Sequence, residues 1–142
     1  MRLALALDAV TCEGDGDCWA VGGGGTSSTD QTLVEQETGG VWSVVPGPTT
    51  TGSTAYGLFG LTCAATDDCW AVGDAIGGAG PAALVEQYTA SGLSVISSSG
   101  PAGSTQSILE GVTCVSGGDC WAVGHLGTSG GVTQPLIEEG TT

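Results

Sequence analysis

The apolar positions of this chain fall in short bursts rather than in long periodic runs. Between residues 52 and 102 four bursts stand out, at 58–63, 69–73, 83–87 and 93–97. They are rich in Val, Leu and Trp, and Gly, Ser, Thr and Pro separate them, which is the composition of strands joined by turns. In Cys18-Trp19-Ala20-Val21 successive side chains point to opposite sides of a strand, and neither side is polar. A sheet that is apolar on both faces must be covered on both. No stretch sustains a helical period, and glycine is spread too densely for long helices.

The bursts repeat. Thr11-Cys12, Thr62-Cys63 and Thr113-Cys114 are spaced by 51 residues, as are three copies of Asp-Cys-Trp-Ala-Val-Gly beginning at Asp17, Asp68 and Asp119. Leu33-Val34-Glu35-Gln36 corresponds to Leu84-Val85-Glu86-Gln87 and, after one inserted residue, to Leu136-Ile137-Glu138-Glu139. Val41-Trp42-Ser43-Val44 corresponds to Gly92-Leu93-Ser94-Val95, and the third copy stops before this segment. The units are 1–51, 52–102 and 103–142, forming one domain.

Four strands in about 40–50 residues is the size of a β-propeller blade, and blades stacked face to face cover both sides of each sheet. The expected fold is therefore all-β, with about three four-stranded antiparallel blades of which the last is incomplete. Known propellers have roughly 4–8 blades. An open partial propeller or part of a larger ring is expected, completed by further blades in cis or by a homo-oligomer.

The Thr-Cys…Asp-Cys-Trp-Ala-Val-Gly core, followed by Leu-Val-Glu-Gln and Trp42-Ser43-Val44-Val45-Pro46, resembles the kelch-like β-propeller repeats of secreted bacterial proteins, including many from actinobacteria. The resemblance covers essentially the whole chain. It implies a propeller and an extracellular or cell-surface location. The family commonly has an aromatic or Asn-Gly turn after the Glu. Here Glu37-Thr38-Gly39-Gly40 and Tyr88-Thr89-Ala90-Ser91 take that place, and Leu93 stands where Trp42 does.

Six cysteines fall as three pairs of equal spacing. If the flanking segments are neighbouring antiparallel strands, each pair lies opposite itself, which selects Cys12–Cys18, Cys63–Cys69 and Cys114–Cys120. Closing so small a ring contributes ~2–2.5 kcal/mol in the chain-entropy model and implies an oxidising compartment. Zinc is the competing reading, but it prefers closer knuckles with four ligands per site. Reduced buried thiols are the third.

Composition removes several functions. One Arg, no Lys and fifteen acidic residues give a net charge of −14. Phosphate backbones are held by Lys and Arg, so nucleic acid is not an expected partner. Anionic membrane is disfavoured for the same reason, and no apolar run approaches the ~18–20 residues of a membrane span. The first residues, Met1-Arg2-Leu3-Ala4-Leu5-Ala6-Leu7-Asp8, carry an apolar stretch too short for a signal peptide.

The remaining candidates read as architecture. Asp17, Asp68 and Asp119 precede the second Cys of each unit and are expected to cap the turn. Glu13-Gly14-Asp15-Gly16-Asp17 lacks the pattern of a calcium loop. Trp19, Trp70 and Trp121 share one register and are expected in the core between blades, while Trp42 is the better candidate for an exposed aromatic. Glu35, Glu86 and Glu138 are expected in rim or turn hydrogen bonds, His125 on the surface, and residues 22–25 in a flexible connector. No catalytic constellation and no cofactor is expected. The leading function is a non-catalytic binding or scaffold module for a carbohydrate or protein ligand, met by loops 23–31, 74–82 and 125–135. The alternative is the propeller portion of a glycan-active hydrolase, lyase or oxidase.

Overall fold

The computed structural model describes residues 4–14, 16–25, 31–46, 53–77, 80–98 and 100–141. Every regular element among them is a strand. The first four are β1 (Ala4–Cys12), β2 (Cys18–Gly25), β3 (Gln31–Thr38) and β4 (Val41–Val44). The next four are β5 (Ser53–Ala65), β6 (Asp68–Gly77), β7 (Gly80–Thr89) and β8 (Gly92–Ser97). The last three are β9 (Ser104–Cys114), β10 (Asp119–Thr128) and β11 (Thr133–Thr141). They form three antiparallel sheets in which each strand pairs with the next in sequence: β1-β2-β3-β4, β5-β6-β7-β8 and β9-β10-β11. Each sheet falls within one repeat unit.

The registers of the three sheets superpose on the repeat. Cys12 faces Cys18, Cys63 faces Cys69 and Cys114 faces Cys120. All three pairs are bonded, with Cα separations of 4.0, 3.9 and 4.1 Å, and no cysteine is free. Each disulfide clips the first hairpin of its sheet.

Two backbone requirements explain residues the repeat keeps. The first strand of every sheet carries an irregularity, at Leu7/Ala9, Leu58/Gly60 and Leu109/Gly111. It pushes a carbonyl onto the glycine that ends Trp-Ala-Val-Gly. A Cβ at Gly22, Gly73 or Gly124 would lie 1.8, 1.8 or 1.9 Å from the carbonyl oxygen of Ala6, Gly57 or Ile108. Only glycine fits there. In the hairpin turns Gly16, Asp67 and Gly118 occupy one position, and all three have positive φ, at 92°, 60° and 96°. Glycine adopts this conformation without cost, and Asp tolerates it better than most residues.

Strands run further than the apolar bursts. The glycines at 22–25, expected as a connector, are the second half of β2 and pair with Ala4–Leu7 on one side. Gly22, Gly23 and Gly24 pair with Leu33, Thr32 and Gln31 on the other. Main-chain pairing needs no apolar side chain, and β1 and β3 offer partners on both sides.

The sheets stack face to face in chain order. Trp19, Val21 and Val34 of the first sheet pack with Leu58, Cys69, Ala71, Leu84 and Tyr88 of the second. Trp70, Val72, Ala83 and Val85 of the second pack with Leu109, Cys120, Ala122, Leu126 and Leu136 of the third. The middle sheet is therefore covered on both sides, and its β6 is buried continuously from Cys69 to Asp74.

Candidate functional site

Every sheet has two unlike faces. One carries the tryptophan with two branched or valine side chains from β2/β3, β6/β7 or β10/β11. The other carries the disulfide, the Ala beside the tryptophan, and the Glu opposite that Ala. The pairings Ala20↔Glu35, Ala71↔Glu86 and Ala122↔Glu138 fix this second set. At both internal interfaces the tryptophan face of one sheet lies on the disulfide face of the next.

The two outer faces repeat these sets without a cover among the described residues. On the third sheet Trp121 is half-buried, and Val123 and Ile137 are 49 and 70 % exposed, whereas the equivalent Val21 and Val34 are 0 and 1 % exposed. On the first sheet Leu5, Leu7, Val10, Trp42 and Val44 are all exposed. Leu7 is the counterpart of Leu58 and Leu109, both at 0 %. Leu7, Val10, Ala20, Glu35 and Trp42 line a shallow cleft of about 460 Å³ on this face.

The glutamates are not at a rim, which corrects the expectation for Glu86 and Glu138. Glu86 is 1 % exposed and lies between the first two sheets. It accepts a hydrogen bond from the Tyr88 hydroxyl and another from Thr32 Oγ1 of the first sheet at 3.1 Å. Its partner across the pair is the small Ala71, which leaves room for the carboxyl above the strand. Burial pushes the Glu86 carboxyl above its ordinary range, and the two hydroxyl donors pull it partly back. Burial, then the Glu86 charge and hydrogen bond, push the Tyr88 phenol well up, so it keeps its proton. The Tyr88 ring packs on Trp19 with centroids 5.6 Å apart and a tilt of 43°, a favourable aromatic geometry. The equivalent Glu138 accepts a hydrogen bond from Ser98, the residue just after β8. Glu35, on the outer face of the first sheet, is half-buried in the cleft.

The other expected residues are placed as follows. Main-chain carbonyls of Asp17 and Asp119 accept the N–H groups of Glu13 and Val115 across the turns, at 2.8 and 3.0 Å. The Asp68 carboxylate accepts from Gln87 Nε2 at 2.9 Å and so ties β6 to β7. His125 approaches Glu110 Oε2 at 3.4 Å on the surface, a partner that sequence reading did not recognise because fifteen residues and a bulge separate them. Asp15 of the acidic loop lies outside the described residues, and no cluster of metal-binding side chains occurs among the rest. The expected ligand loops are narrower than the sequence indicated. Residues 74–77 and 80–82 belong to β6 and β7, and 125–128 and 133–135 to β10 and β11. Residues 26–30 and 78–79 lie outside the described residues.

Tyr88 escaped sequence reading because it was placed in the turn after the Glu. The usable signal was the period-2 pattern: Leu84, Glu86 and Tyr88 fall on one face.

Comparison with protein-family models and with curated proteins finds no match. Three disulfides are the chemistry of an oxidising, extracellular environment. No helix of the described residues is long and apolar enough to cross a membrane.

Proposed function

We propose that the chain is a run of blades from an extracellular or cell-surface bacterial β-propeller, a non-catalytic scaffold that presents a binding surface for a carbohydrate or protein ligand. Further blades, in the same polypeptide or from a second copy, cover its outer faces. One observation carries this reading. The outer face of the third sheet offers Trp121, Val123 and Ile137, and the outer face of the first offers Leu7, Val10 and the half-buried Glu35. These are the counterparts of the sets that meet at both internal interfaces. Apolar patches of this kind mark association sites in soluble proteins. The kelch-like character of the repeat supports the same reading. The acidic side chains best placed for chemistry, Glu86 and Glu138, are engaged in joining sheets.

Sedimentation velocity tests the assembly. The chain is expected to run heavier than 13.8 kDa, and Trp121→Glu to shift it towards the monomer while the equivalent surface change Ser129→Glu does not. A compact monomer at all concentrations overturns the reading. A glycan array run beside a glycoside hydrolase and lyase panel tests the class. Saturable binding without turnover is expected, and turnover by this chain alone removes the non-catalytic assignment.

A further inference from the structure

The two internal interfaces differ at one position. Glu37, Tyr88 and Gly140 are equivalent residues, each opposite the second cysteine of its unit: Cys18↔Glu37, Cys69↔Tyr88 and Cys120↔Gly140. Between the first and second sheets the Tyr88 ring fills the space over Trp19, and its hydroxyl donates a hydrogen bond to the Glu86 carboxyl. Between the second and third sheets glycine stands in that place. The result is a cavity of about 130 Å³, walled by Trp70, Ile96, Ser98, Cys120 and Glu138 beside Gly140. A cavity of ~150 Å³ is known to take up benzene when its lining is apolar.

The wall keeps what served Tyr88 in the other interface. Trp70 corresponds to Trp19, and a Cβ built on Gly140 would meet its ring at 3.7 Å, ordinary contact distance. Glu138 corresponds to Glu86. It has one carboxylate oxygen engaged by Ser98, as Glu86 has one engaged by Thr32. The second Glu86 oxygen takes the Tyr88 hydroxyl, and among the described residues no hydroxyl is placed to do the same for Glu138. Trp70 is only 5 % exposed, and its indole N–H has no hydrogen-bond partner among the described residues. A buried polar group left so costs stability until something accepts from it.

We propose that this cavity is a binding site for a small neutral phenol, whose ring lies against Trp70 and whose hydroxyl donates to Glu138. The site needs only the second and third sheets, so it stands independently of any further blade. A free phenol and a tyrosine side chain share this chemistry, and two probes separate them.

Two-dimensional ¹H–¹⁵N spectra of the indole N–H groups, with the Trp70 signal assigned through Trp70→Phe, read the site directly. Titration with p-cresol is expected to shift the Trp70 signal saturably, and toluene to bind about tenfold more weakly because it lacks the hydroxyl, the discrimination of one hydrogen bond to a charged acceptor. N-acetyltyrosinamide saturating the same signal assigns the site to a tyrosine side chain as well, and p-cresol alone assigns it to free phenols. Gly140→Tyr restores the missing ring and is expected to abolish the shift and raise the Tm. Gly140→Ala, which meets no atom closer than 3.7 Å, narrows the cavity without disturbing the fold and is expected to weaken binding. The proposal falls if p-cresol leaves the Trp70 signal unmoved up to its solubility. It falls equally if binding is unchanged in both Gly140 variants, which would place the probe on the exposed outer faces.

Discussion

Glu86 sets the pH behaviour of the first interface. Its carboxyl is fully buried and its pKa lies above the ordinary value of 4.5. The folded protein therefore holds a proton there that the unfolded chain releases at lower pH. The stability this proton supports is complete below 4.5 and is lost as pH rises from 4.5 through the raised folded value. Glu86→Gln, which never ionises, removes this dependence. Urea unfolding at pH 4 and pH 7 is expected to show the variant gaining on the wild type as pH rises. A constant difference between the two proteins would mean that Glu86 has the same pKa in the folded and unfolded chain. The role of Glu86 was hidden in the sequence because Glu35, Glu86 and Glu138 read alike. Only stacking distinguishes the outer, the hydroxyl-bound and the cavity-lining copy.

Among elements, the hairpin of the first two strands in each sheet was the most legible part of the sequence. Equal cysteine spacing selected the pairs, and the flanking Thr-Cys and Cys-Trp segments gave the strands. Strand length was not legible, because 22–25 and 74–77 carry no apolar burst and still pair along the main chain. Nor did sequence alone give the reason for the glycine after Trp-Ala-Val. It is the bulged carbonyl of the preceding strand, which sits where a Cβ would be. Gly73→Ala in the middle sheet forces that carbonyl of Gly57 away and disturbs β5 and β6 together. Overpacking of this kind typically costs 1–3 kcal/mol, and a backbone obstacle places Gly73→Ala at the upper end, about 3 kcal/mol. Chemical denaturation of the variant measures it. A loss below roughly 0.5 kcal/mol, the range of ordinary surface changes, would show that the bulge relaxes freely.

At the scale of the whole molecule, charge and apolar surface oppose one another. Each copy carries −14, and both outer faces bear carboxylates, with Asp8 and Glu35 beside the cleft and Glu139 beside Trp121. Copies that meet through these faces bring like charges together. Salt screens that repulsion, over ~10 Å at 0.1 M. Association is expected to strengthen from 10 mM to 0.3 M sodium chloride, read as a rising weight-average mass in sedimentation equilibrium. Association that weakens with salt would point to contacts between opposite charges, for which the single Arg leaves little material.

The unlikeness of the two sides of every sheet gives the stack a polarity. At both internal interfaces an indole side precedes a sulfur side, so a copy added to the stack keeps the fit only in this order. A dimer with two-fold symmetry would set like against like, Trp121 against Trp121, and forfeit the fit. What remains is a heterologous joint, which closes into a ring when its rotation divides the circle and otherwise continues as a filament.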